Sequence, residues 1–241
     1  MEILEGVAEE LFKRQIRYKG GRHFIAVPNG EPERMNWFSS CYWAFLQKRL
    51  VDEFGGGYYP QEYMAAKLTG HIFGSKISSL IKGKHIVAPL ISLIVKQFGY
   101  GNIKVAKTNY EDDWLTFEFY DPPVGRELSK FFGFQKFPVD YAIAGLVAGC
   151  AEQLVGRKFI TMETSCVACG DAKCTMETLS LSHFEEKLGK IKNKGQKELL
   201  SKILEIEKKT DFPAEVKKMM QNRDKRALFN ERNYLASEKI V

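Results

Sequence analysis

The chain has 241 residues, 44% of them hydrophobic and 27% charged, enough for one sizeable core or two small ones, which excludes disorder, collagen and a disulfide-framed mini-protein. The formal net charge is +6, but residues 182–241 hold fifteen Lys/Arg against ten Asp/Glu, so the first 181 residues are near neutral and nucleic acid is not an expected partner for them. The longest largely apolar run, Ile86 to Val95, has Pro89 inside it and falls far below the roughly 20 residues of a bilayer span, and the acidic start Met1-Glu2-Ile3-Leu4-Glu5 is unlike a secretory leader, so a cytoplasmic protein with no membrane span is expected.

In chain order, Ile3, Val7, Leu11 and Ile16 mark a helical face that Lys19-Gly20-Gly21 and the Pro28 to Pro32 segment break into a loop. From Asn36 or Ser39 to Phe54, Tyr42, Phe45, Leu46, Leu50 and Val51 recur at three- and four-residue spacing, predicting an amphipathic helix stopped by Gly55-Gly56-Gly57. That glycine run lacks the Lys-Ser/Thr of a phosphate loop. Helices are expected from about Gln61 to Ile81 and from about Ile86 to Phe98.

After Gly99-Tyr100-Gly101 the period changes to two. Ile103 and Val105, then Leu115, Phe117 and Phe119 across an Asn109 to Asp113 turn, predict a β-hairpin, which Asp121-Pro122-Pro123-Val124-Gly125 ends. Asp140 to Val155 reads as a helix with Ile143, Leu146, Val147, Cys150 and Leu154 in one stripe, while Gly145 and Gly149 form a small patch suited to lying close on a sheet. Lys158 to Thr164 and Lys173 to Leu181 read as a second hairpin. The order helices, hairpin, helix, hairpin predicts an α+β fold, helices packed on an antiparallel sheet of about four strands. Leu199, Leu200, Ile203, Leu204 and Ile206 then mark a helix between lysine-rich flanks, and residues 182–241 read as an appended basic helical arm for dimerisation or partner contact, leaving 1–181 as the main domain.

Five cysteines, three of them within nine residues, point in a reducing compartment to metal or redox chemistry before disulfides. In Glu163-Thr-Ser-Cys166-Val-Ala-Cys169-Gly-Asp-Ala-Lys-Cys174, the spacing puts Glu163 at the end of one strand and Cys174 at the start of its partner, so that Glu163, Cys166 and Cys174 can converge on one ion. Two thiolates and a carboxylate suit zinc; Cys169, Cys150 and Asp140 are candidates for a fourth ligand. Cys150 lies on an apolar helix stripe and reads as core, and Asp140 also reads as an ordinary helix N-cap. The alternative use of the thiols is an iron–sulfur cluster. His23, His71, His85 and His183 are scattered, and no nucleophile–base pair, dinucleotide fingerprint or paired-carboxylate motif is present in the sequence.

Phe137-Pro-Val-Asp140 leading into Ala144-Gly-Leu-Val-Ala-Gly149, then Leu154-Val-Gly156, then the Glu163 to Cys174 segment, resemble the 4-vinyl reductase domain family, most strongly over residues 137–181. That family includes the sensor domains of phenol- and xylene-responsive activators. The resemblance implies the fold of the small subunits of the TRAPP tethering complex, often dimeric, and a structural zinc held by Glu163, Cys166 and Cys174 with Asp140 at a position where the family usually has cysteine; Cys169 is the alternative fourth ligand. It also implies a pocket for a small hydrophobic or aromatic molecule between sheet and helices, for which Phe117, Phe119, Leu146 and Phe159 are the candidates. A zinc-stabilised sensor or accessory module, forming a homodimer and lacking catalysis, is the expected function. The alternatives are an enzyme or accessory protein acting on a tetrapyrrole or other cyclic conjugated substrate, and a TRAPP-like interaction scaffold.

Overall fold

The computed structural model describes residues 16–19, 22–25, 33–35, 40–78, 84–97, 100–219 and 221. Strands β1 (Ile16–Lys19), β2 (Arg22–Ile25) and β3 (Glu33–Met35) form an antiparallel meander in which Lys19 pairs with Arg22. This corrects the helix drawn through Ile16 and the loop beyond it. Two short runs of β-branched and aromatic residues flank Gly20-Gly21, a hairpin signal that the helical spacing from Ile3 to Ile16 outweighed. The expected helical positions Ile3, Val7 and Leu11 lie outside the described residues.

Helix α1 (Ser40–Phe54) ends at the glycine run, and α2 (Tyr58–Ser78) starts directly after it, three residues earlier than the apolar spacing suggests. Pro60 falls in its first turn, where a missing N–H costs no helical bond. Helix α3 (Val87–Gln97) follows, again with its proline, Pro89, in the first turn. Strands β4 (Ile103–Asn109) and β5 (Trp114–Phe119) then make the first hairpin. The Asp121 to Gly125 segment that ends it also opens α4 (Pro123–Phe132), which the sequence reading left out; Pro123 sits at the first helical position, where its fixed φ is already helical.

Helix α5 (Tyr141–Val155) leads to the second hairpin, β6 (Phe159–Ser165) and β7 (Cys174–Ser180). The four long strands form one antiparallel sheet in the order β4-β5-β7-β6, so the two hairpins join through β5 and β7, with Phe119 opposite Cys174. The register shifts between Val105 and Lys107 on β4, and between Glu163 and Ser165 on β6. On β5, Leu115, Phe117 and Phe119 alternate inward, as a sheet with one packed face requires.

Helix α5 is buried almost all round, between the sheet and α2. Its small patch meets a helix rather than the sheet: a Cβ on Gly145 would stand 2.1 Å from the Tyr63 carbonyl oxygen, and one on Gly149 2.1 Å from that of Lys67, so the two helices touch backbone to backbone. Periodicity marks a small patch but does not say which neighbour uses it.

Helices α6 (Leu181–Lys190), α7 (Lys194–Lys209) and α8 (212–219) complete the described chain. Asn193 caps α7 by accepting from the Gln196 N–H at 3.0 Å. Leu199, Leu200, Ile203, Leu204 and Phe212 belong to the same core as the sheet and α5, so α7 is part of the main packing unit and does not stand apart from it. A buried polar cluster fixes it there. The Lys67 ammonium, fully enclosed, lies 2.6 Å from Glu207, 2.8 Å from Glu152 and 2.9 Å from the Phe159 carbonyl oxygen. His71 approaches Glu152 at 3.4 Å, and its ring stacks on Phe212. Burial raises the pKa of Glu207, whereas the His71 and Lys67 partners outweigh burial at Glu152 and lower it.

The outward backbone groups of β6 are bound by side chains. Phe159 N–H donates to Glu152, Thr161 N–H donates to the Tyr63 hydroxyl at 3.1 Å, and the Glu163 carbonyl accepts from the Gln196 amide at 2.8 Å.

Candidate metal centre and adjoining cavity

The second hairpin and the start of α5 meet at one point. Asp140 precedes α5 by one residue, Glu163 sits near the end of β6 beside the register shift, and Cys174 opens β7. The register shift re-aims the strand end, as a bulge does. Between the strands, Cys166 to Gly170 folds back on itself: Cys169 N–H and Asp171 N–H both donate to the Cys166 carbonyl, and the Cys166 N–H donates to the Asp171 carboxylate at 2.7 Å. Gly170 has a φ of +99°, a conformation for which a side chain would be strained.

One potential ligand atom from each of Asp140, Glu163, Cys166 and Cys174 lies within 4.8 Å of every other, and all four residues are buried. The Asp140 N–H donates to Glu163 at 3.0 Å, and the Cys174 thiol lies 3.4 Å from the Asp140 carboxylate. Burial pushes the carboxyls of Asp140 and Glu163 well up, and the neighbouring Cys166 adds to both. Hydrogen bonds from the Cys169 and Cys174 thiols hold Cys166 down at about 3, while the same bond and burial push Cys174 up. Two acids and two thiols thus compete for one negative charge in a space that water does not reach, and Oε1 of Glu163 has no hydrogen-bond partner among the described residues. A cation would answer both the orphaned oxygen and the mutual repulsion, so the donor set fits a metal ion.

Cys169 is half-exposed and bonds to Cys166 without joining the group of four. Cys150 is core, as its helix stripe predicts: it is fully buried, its thiol lies 3.4 Å from the Gly70 carbonyl, and burial pushes its pKa up to about 12. Of the other histidines, His85 is exposed and edges onto Tyr110, His183 pairs with Ser180 and lies near Trp114, and the side chain of His23 lies outside the described residues.

The four residues expected to line a pocket are all core. Phe117, Phe119, Leu146 and Phe159 are each no more than 4% exposed, filling the space between sheet and helices with their own side chains. The cavity lies elsewhere, against α1, α2 and the start of α5. It measures about 420 Å³; Trp43, Gln47, Tyr58, Glu62, Tyr100 and Asp140 supply its aromatic and polar wall, and alanines of α2 and α5 much of the rest. Asp140 therefore borders both the cavity and the group of four. Gln47 is a polar residue on the buried face of α1, a position where the sequence pattern calls for an apolar one, and that mismatch is the signal that could have flagged this wall.

Residues 133–179 match the 4-vinyl reductase domain. The structure is similar to that of the phenol-responsive sensory domain of the transcription activator PoxR with phenol, at 18% identity and a TM-score of 0.62, covering 73% of this chain and 90% of that one. Weaker likenesses link it to a vinyl-4-reductase family protein from Methanocaldococcus jannaschii (19% identity, TM-score 0.38, 60% and 82% covered) and to a trafficking protein particle complex subunit 3 from Naegleria fowleri covalently bound to palmitic acid (17%, 0.40, 58% and 93%). No curated protein matches the chain by sequence. Among the described residues, no helix is long and apolar enough to cross a membrane.

Proposed function

We propose that this chain is a zinc-stabilised binding module for a small hydrophobic or aromatic molecule, serving as a sensor or accessory factor. The observation that carries the reading is the position of Asp140, which is both a member of the buried group of four and part of the cavity wall. Two sulfur and two oxygen donors suit zinc better than the all-oxygen cations, and four protein ligands leave no open position for substrate, the pattern of a structural site. Bound there, the ion supplies cross-linking: Asp140 would tie the first turn of α5 to both strands of the second hairpin. Cys166 and Cys174 would bind as thiolates, a form the dense set of local donors already favours at Cys166.

A cavity of this size, walled by alanines and aromatic rings, suits a small ring-bearing molecule. The fold neighbour solved with phenol supports that ligand class. The reading includes a homodimer, for which the exposed Phe45, Phe131 and Phe134 supply apolar surface. Light scattering tests the dimer, and a monomer at all concentrations refutes it.

The central test is metal content by plasma mass spectrometry on purified wild type, Glu163→Gln, Cys174→Ser and Cys169→Ser, with calorimetric titration of phenol and toluene. About one zinc per chain in wild type and Cys169→Ser, lost in the other two, with saturable binding of either probe, is the expected result. Iron with a visible charge-transfer band, no metal, or no binding of either probe overturns the corresponding half of the reading.

A further inference from the structure

The cavity has a chemical bias that its apolar walls do not suggest. Its lining residues include two carboxylates, Glu62 and Asp140, and no Lys, Arg or His. Asp140 faces the buried group of four, which leaves Glu62 as the acid that a molecule in the cavity meets. Glu62 is held in place from two sides: the Gln47 amide donates to its Oε2 at 3.1 Å, and the Tyr58 hydroxyl to its Oε1 at 3.2 Å. Gln47 is fixed in turn, because its second N–H donates to the Val139 carbonyl at 2.9 Å; turning the amide over would set its oxygen against two acceptors. None of these partners is a cation, and no ion pair to Glu62 exists among the described residues. Burial pushes its carboxyl up to about 7, which marks a carboxylate short of positive charge. Tyr58, Tyr100 and Trp43 stand around the same space.

A preorganised acid without a cation, among aromatic rings that welcome positive charge, matches an ammonium group, which offers three donors and no acceptor. We infer that the cavity between α1, α2 and α5 binds an aromatic primary amine as its ammonium, with Glu62 as the ionic partner and Trp43, Tyr58 and Tyr100 around the ring. The inference rests on the small-molecule reading above and narrows it from a neutral aromatic to a cationic one.

The test titrates the full-length protein by calorimetry at neutral pH with benzylamine, benzyl alcohol and toluene, which share a ring and differ in the head group. Benzylamine is expected to bind at least about tenfold more tightly than either neutral probe, a preference equivalent to about 1.4 kcal/mol. Glu62→Gln, nearly isosteric, is expected to remove that preference and retain toluene binding; Tyr58→Phe, which removes one of the hydroxyls holding the carboxylate, is expected to reduce it. Benzyl alcohol or toluene binding as tightly as benzylamine, or a preference that survives in Glu62→Gln, overturns the inference while leaving the small-molecule reading in place. If Glu62→Gln does not fold, the wild-type ranking and Tyr58→Phe decide. Binding of none of the three overturns both.

Discussion

The α2–α5 contact gives a sharp quantitative test. At Gly149, an added Cβ would lie 2.1 Å from the Lys67 carbonyl oxygen and 2.9 Å from the His71 nitrogen, both backbone atoms that cannot swing aside. Relief requires α2 and α5 to separate by about 1 Å along a face packed at crystal-like density, an overpacking that costs typically about 1–3 kcal/mol. Alanine also returns up to about 1 kcal/mol of helix propensity. The displaced backbone belongs to Lys67, however, whose ammonium is held within 2.8 Å of two carboxylates, so separation strains the ionic cluster as well. Gly149→Ala is therefore expected to lose about 2–4 kcal/mol in urea unfolding, a fall of roughly 4–16 °C in Tm for a chain of this size. Gly189→Ala is the control. Gly189 is exposed on α6 with nothing within 4 Å of an added Cβ, so the same chemical change is expected to be neutral or to stabilise by up to about 1 kcal/mol. A Gly149→Ala protein as stable as wild type would refute the backbone-to-backbone packing.

Further outcomes follow from the charges. Lys67→Met strands the buried Glu207 and Glu152 carboxylates and is expected to cost about 3–5 kcal/mol by urea unfolding, with Lys67→Met/Glu207→Gln less destabilised than the sum of the single changes. Glu62 has its carboxyl raised from 4.5 to about 7, so the folded chain retains a proton that the unfolded chain releases between those values; stability contributed there is full below 4.5 and is lost as pH rises towards 7. The loss amounts to at most about 3 kcal/mol, and unfolding midpoints measured from pH 4.5 to 8 should show a correspondingly shallower decline in Glu62→Gln. Asn193→Ala is expected to cost about 1 kcal/mol by removing the cap of α7, seen as a lower Tm. A chelator should lower the Tm of wild type and leave that of Cys174→Ser unmoved; equal responses would argue against a metal at this group.

The sequence was most legible where one period dominated. Alternation in Leu115, Phe117 and Phe119 located β5, and the sheet of four antiparallel strands followed from two such hairpins. The Glu163, Cys166 and Cys174 set was readable because its members are close in sequence and flank a single turn. Asp140, separated from them by a whole helix, was one of three candidates by spacing alone, and only tertiary structure brings it there. The cavity was illegible for the same reason: α1, α2, the start of α4 and α5 each contribute to its wall, and no local pattern records that they meet. Phe117 and Phe119 looked like pocket residues because aromatic side chains on an inward strand face serve a core and a ligand site alike. Residues 182–241 looked separable because charge dominates their composition, while the four buried apolar positions of α7 and the hidden Glu207 are a minority that carries the packing.

The side chains that occupy the outward backbone of β6 also determine what the sheet can recruit. A terminal strand with free N–H and carbonyl groups is a template for a strand from another molecule. On β6, Glu152, Tyr63, Lys67 and Gln196 already occupy those groups, and a newcomer would have to displace side chains drawn from three helices. At the opposite margin β4 relies on other means, exposed Lys104 and Lys107 and a break in register between Val105 and Lys107. Protection of the two margins is therefore unequal under stress. High salt screens the lysines of β4, whereas β6 stays closed until α7 detaches and takes Gln196 and the Glu207 partner of Lys67 with it. The first step towards strand-exchanged aggregates on that side is the release of a helix.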